Sequence, residues 1–199
     1  SLFKLAGRNI GLKQRSTLQN AVSAHKVSGV LDLTKFIIKF TFSIELMGAI
    51  LLLPVFCKDF GIIKGIWYSL FHSISAFCNA GFDLMGSYSG EYSSFTAFSD
   101  DILVNTVIML LIIIGGIGFL VWDDLLKNKL RFRSYQLHTK LVLSVSIILT
   151  LGGALLFGLF EKDGALMGKS LKEQILICLF SSVTCRTAGF NTVDFSSLG

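Results

Sequence analysis

Charge is scarce in this chain of 199 residues. Only 16% of its residues are Asp, Glu, Lys or Arg, against about 25% in a soluble domain. Proline is nearly missing, with one residue, while Phe occurs 18 times and hydrophobic residues make up 52%. A mean hydropathy of +0.68 completes the pattern. These shortages exclude an ordinary soluble globule and point to a membrane protein. No Cys-x-x-Cys pair exists among Cys57, Cys78, Cys178 and Cys185. That removes the usual thiol metal and redox motifs, and leaves small apolar packing residues. The first 35 residues are polar and basic, without the apolar core of a signal peptide. The sequence opens without Met, and is read as a piece of a longer protein.

Three apolar stretches are long enough to cross a bilayer: Phe36 to Cys57, Ile102 to Leu126 and Leu141 to Phe160. Each reaches the roughly 20 residues that a ~30 Å hydrocarbon core requires. Two others, Ile66 to Cys78 and Leu171 to Cys185, are shorter. Each gives a helix of roughly 20 Å at ~1.5 Å per residue, so each must enter and return.

Lys and Arg are absent from 83–101, which carries Asp83, Glu91, Asp100 and Asp101. Seven stand in 1–39 (Lys4, Arg8, Lys13, Arg15, Lys26, Lys35, Lys39) and five in 127–140 (Lys127, Lys129, Arg131, Arg133, Lys140). Positive-inside bias places 1–35 and 127–140 in the cytoplasm. Both short stretches then dip in from outside. The expected organisation is a cytoplasmic segment 1–35, a helix–pore-loop–helix unit 36–126, a cytoplasmic loop 127–140, and a partial second unit 141–199.

The tripeptide Ala-Gly-Phe follows each short stretch, at Ala80-Gly81-Phe82 and Ala188-Gly189-Phe190, an offset of 108 residues. Ser73 and Ser181 each stand seven residues before the repeated Ala. Gly48-Ala49-Ile50-Leu51-Leu52 resembles Gly153-Ala154-Leu155-Leu156-Phe157 at an offset of 105. A duplicated membrane hairpin accounts for both. A half-helix entering from outside points its C-terminal carbonyls at the membrane interior, where they favour a cation. Bare backbone at that depth must be buried or line a watery path. Gly tolerates positive φ, so neighbouring carbonyls can turn to one axis and replace an ion's hydration shell. The other reading of each Gly is a tight turn between packed elements.

The stretch Phe71-His72-Ser73-Ile74-Ser75-Ala76-Phe77-Cys78-Asn79-Ala80-Gly81-Phe82-Asp83 resembles the second filter region of the Trk/Ktr/HKT potassium transporters. Cys185-Arg186-Thr187-Ala188-Gly189-Phe190-Asn191-Thr192-Val193-Asp194 is similar to the third. Gly115-Gly116-Ile117-Gly118-Phe119 and the basic stretch Gly7-Arg8-Asn9-Ile10-Gly11-Leu12-Lys13-Gln14 resemble the same family. The resemblance implies an all-α membrane fold, part of a four-repeat pseudo-symmetric pore. It implies potassium uptake across the plasma membrane, often sodium-dependent, by a membrane homodimer. A cytosolic nucleotide-binding ring would regulate it, docking near Lys13, Arg15, Arg131 and Arg133. Potassium, with sodium as a second ion in the path, would meet carbonyls of Asn79, Ala80, Gly81 and Phe82 and of Thr187, Ala188, Gly189 and Phe190. No covalent cofactor and no enzymatic activity are implied.

Other residues carry two readings each. Arg186 is read as a brace for the filter loop rather than a ligand, since it would repel cations. Asp83 and Asp194, just beyond the tripeptides, would raise cation concentration at an outer mouth, or are solvated loop residues. Glu45 is a coupling or gating residue, or a buried carboxylate with a polar partner. Lys39 snorkels. His72 is read as a packing residue. Gly115-Gly116 sits inside a span with no preceding strand, so it is read as close helix packing, not a dinucleotide loop. The basic segment 127–140, with Phe132 and Tyr135, suits lipid headgroups or a cytosolic partner rather than nucleic acid. An intramembrane protease and a non-transporting regulatory subunit remain as alternatives. An aspartyl protease would need two facing Asp residues, whereas Asp123 and Asp124 are adjacent, and a serine type would need an oriented His–Ser pair, whereas His72 stands too near its own serines in sequence.

Overall fold

The structure, a computed structural model, describes residues 30–90, 93–129, 131–162 and 164–194. The basic stretch around Lys4, Arg8, Lys13, Arg15 and Lys26, and Glu91, lie outside the described residues. Every regular element described is helical. Among the described residues the α-helices are, in order, α1 Val30–Phe60, α2 Ile62–Phe77, α3 Gly86–Ser89, α4 Ile102–Ile117, α5 Phe119–Asn128, α6 Leu137–Phe160 and α7 Leu171–Thr184. The chain divides into two units, residues 1–43 and 44–199. The described part of the first is the leading stretch of α1, where Ser43 Oγ donates to the Lys39 carbonyl at 2.7 Å.

Among the described residues two helices are long and apolar enough to cross a membrane, Leu31–Phe60 and Leu137–Phe160. Their exposed side chains are apolar over long stretches, including Leu46, Ile50, Ile147, Leu151 and Leu155. The expected middle span, Ile102 to Leu126, is not one straight helix. It breaks at Gly118, and α5 turns 96° from α4. The cause is local. Gly118 takes φ 96° and ψ 144°, which ends the helical hydrogen bonding. The freed carbonyl of Ile114 instead accepts the Trp122 indole N–H at 2.9 Å. A buried carbonyl without that partner would carry a desolvation cost.

The two short helices take the places that the sequence suggests. Gly61, with φ 79°, turns the chain from α1 into α2 without a Cβ penalty. Ser170 caps α7 by accepting the Glu173 amide at 3.3 Å. Helix α7 packs on α6 and on α4, and α2 packs on α4. On the cytoplasmic side suggested by the charge pattern, Asp124 joins α5 to the start of α6. Its carboxylate accepts from the Gln136 amide and from Asn128 Nδ2, at 2.9 and 2.8 Å.

Candidate ion-path site

The same contact seats each short helix on its long one. Ser73 of α2 donates to the carbonyl of Glu45 in α1 at 2.6 Å. Ser182 of α7 donates to the carbonyl of Thr150 in α6 at 2.7 Å. In each case a glycine three residues further along the long helix makes room. A Cβ on Gly48 would come within 2.5 Å of Ser73 Oγ, and one on Gly153 would meet Ser182 Oγ. The long helices correspond at an offset of 105, as the sequence suggested. The short helices correspond at 109, so the counterpart of Ser73 is Ser182, not Ser181. Counting back from the repeated Ala placed it one residue early, because the two connecting stretches differ by one residue.

That difference is visible in the turn beyond each helix. The amide of Ala80 donates five residues back, to the Ser75 carbonyl at 2.9 Å. The amide of Ala188 donates four residues back, to the Thr184 carbonyl at 3.0 Å. Both chains then enter backbone that favours glycine. Asn79 has φ 51° and Gly81 φ 73°, while Thr187 has φ 128° and Gly189 φ 80°. The two Ala-Gly-Phe segments meet there. A Cβ on Gly81 would stand 2.5 Å from the Ala188 carbonyl oxygen, and one on Gly189 would stand 3.2 Å from Gly81 Cα. The carbonyl of Ala188 thus faces the first segment. The Phe carbonyls face the other way, toward their own helices: Phe82 accepts from Ser75 Oγ and Phe190 from Thr184 Oγ1, each at 2.6 Å.

The segments are not equally enclosed. Ala188 and Phe190 are fully buried, whereas Phe82 is 70% exposed. Aromatic packing explains the first case: the Phe190 ring lies 5.3 Å from Phe95, which lies 5.1 Å from His72. Backbone joins the same loops, since the Phe95 amide donates to the Asn191 carbonyl at 2.8 Å. His72 is held on both ring nitrogens. Nδ1 faces the Tyr68 carbonyl at 2.7 Å, and Nε2 accepts the Leu84 amide at 3.1 Å. That network requires the neutral ring with its proton on Nδ1. His72 therefore packs and holds the return from the first segment, and no nucleophile is paired with it.

Arg186 turns away from the segments. Its guanidinium donates to the Ser146 carbonyl and to Thr150 Oγ1, both on α6. Its place in the first half is taken by Cys78, whose thiol donates to Glu45 Oε1 at 3.8 Å. Glu45 and Thr150 are counterparts in the long helices. The polar partner of Glu45 is thus the residue that closes α2, and the side chain of Glu45 is buried. Asp83 accepts the Met85 amide at 2.9 Å, a local turn, and Asp194 lies exposed beyond the second segment. At the start of α7 Glu173 accepts from Lys169 Nζ at 2.5 Å and from Ser99 Oγ at 2.8 Å. The Lys169 hydrogen bond holds its carboxyl below the ordinary range.

Gly115 explains the glycine cluster in α4. A Cβ there would collide with the Phe77 carbonyl at the end of α2, whereas one on Gly116 would meet only Asn79 Nδ2 at 3.7 Å. Close packing is the role, but Gly115 carries it. No group of three or more metal-ligating side chains occurs among the described residues. The oxygen atom that meets Gly81 across the segments, that of Ala188, belongs to the backbone.

Residues 2–199 match the family described as TrkH, cation transport protein. The chain is 40% identical over 194 residues to the potassium/sodium uptake protein NtpJ of Enterococcus hirae, covering 97% of this chain and 42% of that one. It is 38% identical over 199 residues to the Ktr system potassium uptake protein B of Bacillus subtilis, covering 99% and 43%. The protein of that name from Vibrio alginolyticus is 34% identical over 198 residues, covering 98% and 42%. The chain thus spans less than half the length of these relatives. With its apolar crossing helices, this is a multi-pass chain of the plasma membrane, and it belongs to the TrkH family of cation transport proteins.

Proposed function

We propose that this chain supplies two of the pore-loop segments through which the whole protein takes potassium into the cell. The observation that carries the proposal is the meeting of Gly81 and Gly189. Two short helices end at one place, each is followed by positive-φ glycine backbone, and the Ala188 carbonyl faces the opposite segment. Helix C-termini carry partial negative charge, and carbonyl oxygens are hard ligands suited to an alkali cation. An anion would be repelled by both features. The relatives named for potassium or potassium/sodium uptake fit this chemistry.

The ion path consists of carbonyls from Asn79 to Gly81 and from Thr187 to Gly189, joined by equivalent segments elsewhere in the whole protein. Sodium acts as a second, competing or co-transported ion. Two copies of the whole protein pair in the membrane, and a cytosolic nucleotide-binding ring docks on its basic inner face. Rubidium or potassium flux into vesicles that hold the whole protein tests the reading. Uptake that saturates with potassium supports it. A protein that inserts normally and gives no cation flux, with or without its cytosolic partner, contradicts it. A protease reading has no support in the geometry, because His72 is occupied on both nitrogens and Asp124 is engaged by backbone and Asn128.

A further inference from the structure

The hydroxyls at Ser75 and Thr184 have no part in seating the helices, which Ser73 and Ser182 accomplish two residues earlier. Each of these residues instead grips both ends of its own Ala-Gly-Phe segment, one end by its backbone carbonyl and the other by its hydroxyl. The Ser75 carbonyl accepts the Ala80 amide at 2.9 Å, and its hydroxyl donates to the Phe82 carbonyl at 2.6 Å. The Thr184 carbonyl accepts the Ala188 amide at 3.0 Å, and its hydroxyl donates to the Phe190 carbonyl at 2.6 Å. Both side chains are buried, and Thr184 is 7% exposed. The two connecting stretches differ in length by one residue, yet both arrive at this arrangement. Residues two apart on a helix lie on nearly opposite sides. One hydroxyl of each pair therefore faces the long helix, and the other faces the segment.

We propose that Ser75 and Thr184 are positioning residues of the ion path: each pins its Ala-Gly-Phe segment at both ends, and holds the Phe82 or Phe190 carbonyl back against its own helix and out of the path. The inference rests on the filter reading above and refines it. Of the carbonyls that the sequence suggests as ligands, those of Phe82 and Phe190 are engaged by hydroxyls. That of Ala188 faces across to Gly81. A segment fixed at its start and its end has little freedom to adjust its intervening carbonyls to a smaller ion. Loss of the hydroxyl frees the end of the segment and leaves the Phe carbonyl able to turn inward. Discrimination between ions then falls, while the amount of inserted protein need not.

The test uses the whole protein in proteoliposomes, with uptake measured against potassium and sodium concentration. Thr184→Val removes the hydroxyl at nearly constant volume, Ser75→Ala does so in the first half, and Thr184→Ser restores a hydroxyl. Gly189→Ser serves as the control for the filter reading. Thr184→Val and Ser75→Ala are expected to reduce the potassium-over-sodium ratio of apparent affinities about fivefold or more, and Thr184→Ser to keep it within about twofold, since one buried hydrogen bond is at stake. If Gly189→Ser changes the ratio and the hydroxyl deletions leave it unchanged, the positioning role is refuted and the filter stands. If Gly189→Ser leaves it unchanged as well, the filter reading itself fails, and the positioning role with it. If Thr184→Val does not insert, Thr184→Ser and Ser75→Ala decide. A ratio lost in Thr184→Ser, or kept in Ser75→Ala, overturns the proposal.

Discussion

Ser73 Oγ donates to the carbonyl oxygen of Glu45 at 2.6 Å, directly over Gly48. This contact recurs between Ser182 and Thr150 over Gly153, and it fixes where each short helix ends. A Cβ on Gly48 would also stand 2.8 Å from Leu111 Cδ1. Gly48→Ala is therefore expected to destabilise the protein by about 1–3 kcal/mol, the usual cost of overpacking. Thermal unfolding of purified protein in detergent checks this. Gly152→Ala, where a Cβ meets nothing within 4 Å, is the matched control and should be neutral.

The glycines of α4 separate in the same way. Gly115→Ala drives a methyl into the Phe77 carbonyl, and backbone cannot yield as a flexible side chain does. Gly116→Ala meets only Asn79 Nδ2 at ordinary contact distance. The first variant is expected to lose inserted protein or uptake, and the second to behave nearly as wild type. Equal behaviour of the two would show that α2 does not end against α4 as described.

Arg186 is held by acceptors on α6, and both donor contacts come from one guanidinium nitrogen, Nη2. Arg186→Lys keeps the charge but replaces the long planar guanidinium by a shorter ammonium that does not reach the same acceptors in the same way. It is expected to cost about 1–3 kcal/mol of stability, close to the effect of Arg186→Met, because hydrogen bonds to charged groups are being lost. If the charge itself governed ion passage, Arg186→Lys would match wild type and Arg186→Met alone would fail. Uptake and thermal unfolding measured together distinguish the two.

The placement of Lys and Arg predicts that 127–140 faces the cytoplasm. A Cys at position 131, in a chain lacking Cys57, Cys78, Cys178 and Cys185, should react with an impermeant thiol reagent only after the cells are opened. Reaction in intact cells would invert the topology.

Much of this arrangement is legible in the sequence because the apolar runs and the repeated Ala-Gly-Phe are local signals. The long helices α1 and α6 and the short helices α2 and α7 follow from run length and hydropathy. The break at Gly118 was hidden because an apolar run looks the same whether its helix is straight or bent. What ends α4 there is a single backbone conformation, with Trp122 reaching back to Ile114. The hydroxyl pairs were present as Ser73-Ile74-Ser75 and Ser182-Val183-Thr184, a usable signal. Alignment on the tripeptide concealed them, since the connecting stretches differ by one residue. The roles of Ser146 and Thr150 as acceptors for Arg186 depend on packing of α6 against the turn after α7, which spacing along the chain does not encode.

The central claim is that Gly81 and Gly189 turn backbone oxygens into one ion path. Gly189 has φ 80°, and a Cβ there would stand 3.2 Å from Gly81 Cα, so Gly189→Ser strains its own backbone and presses on the opposite segment. The measurement is uptake by the whole protein against potassium and against sodium concentration, with inserted protein quantified in parallel. The account predicts that Gly189→Ser inserts and shifts the ratio of the two apparent affinities. Wild-type apparent affinity for both ions, in normally inserted protein, would contradict it and leave the repeated Ala-Gly-Phe as a structural turn.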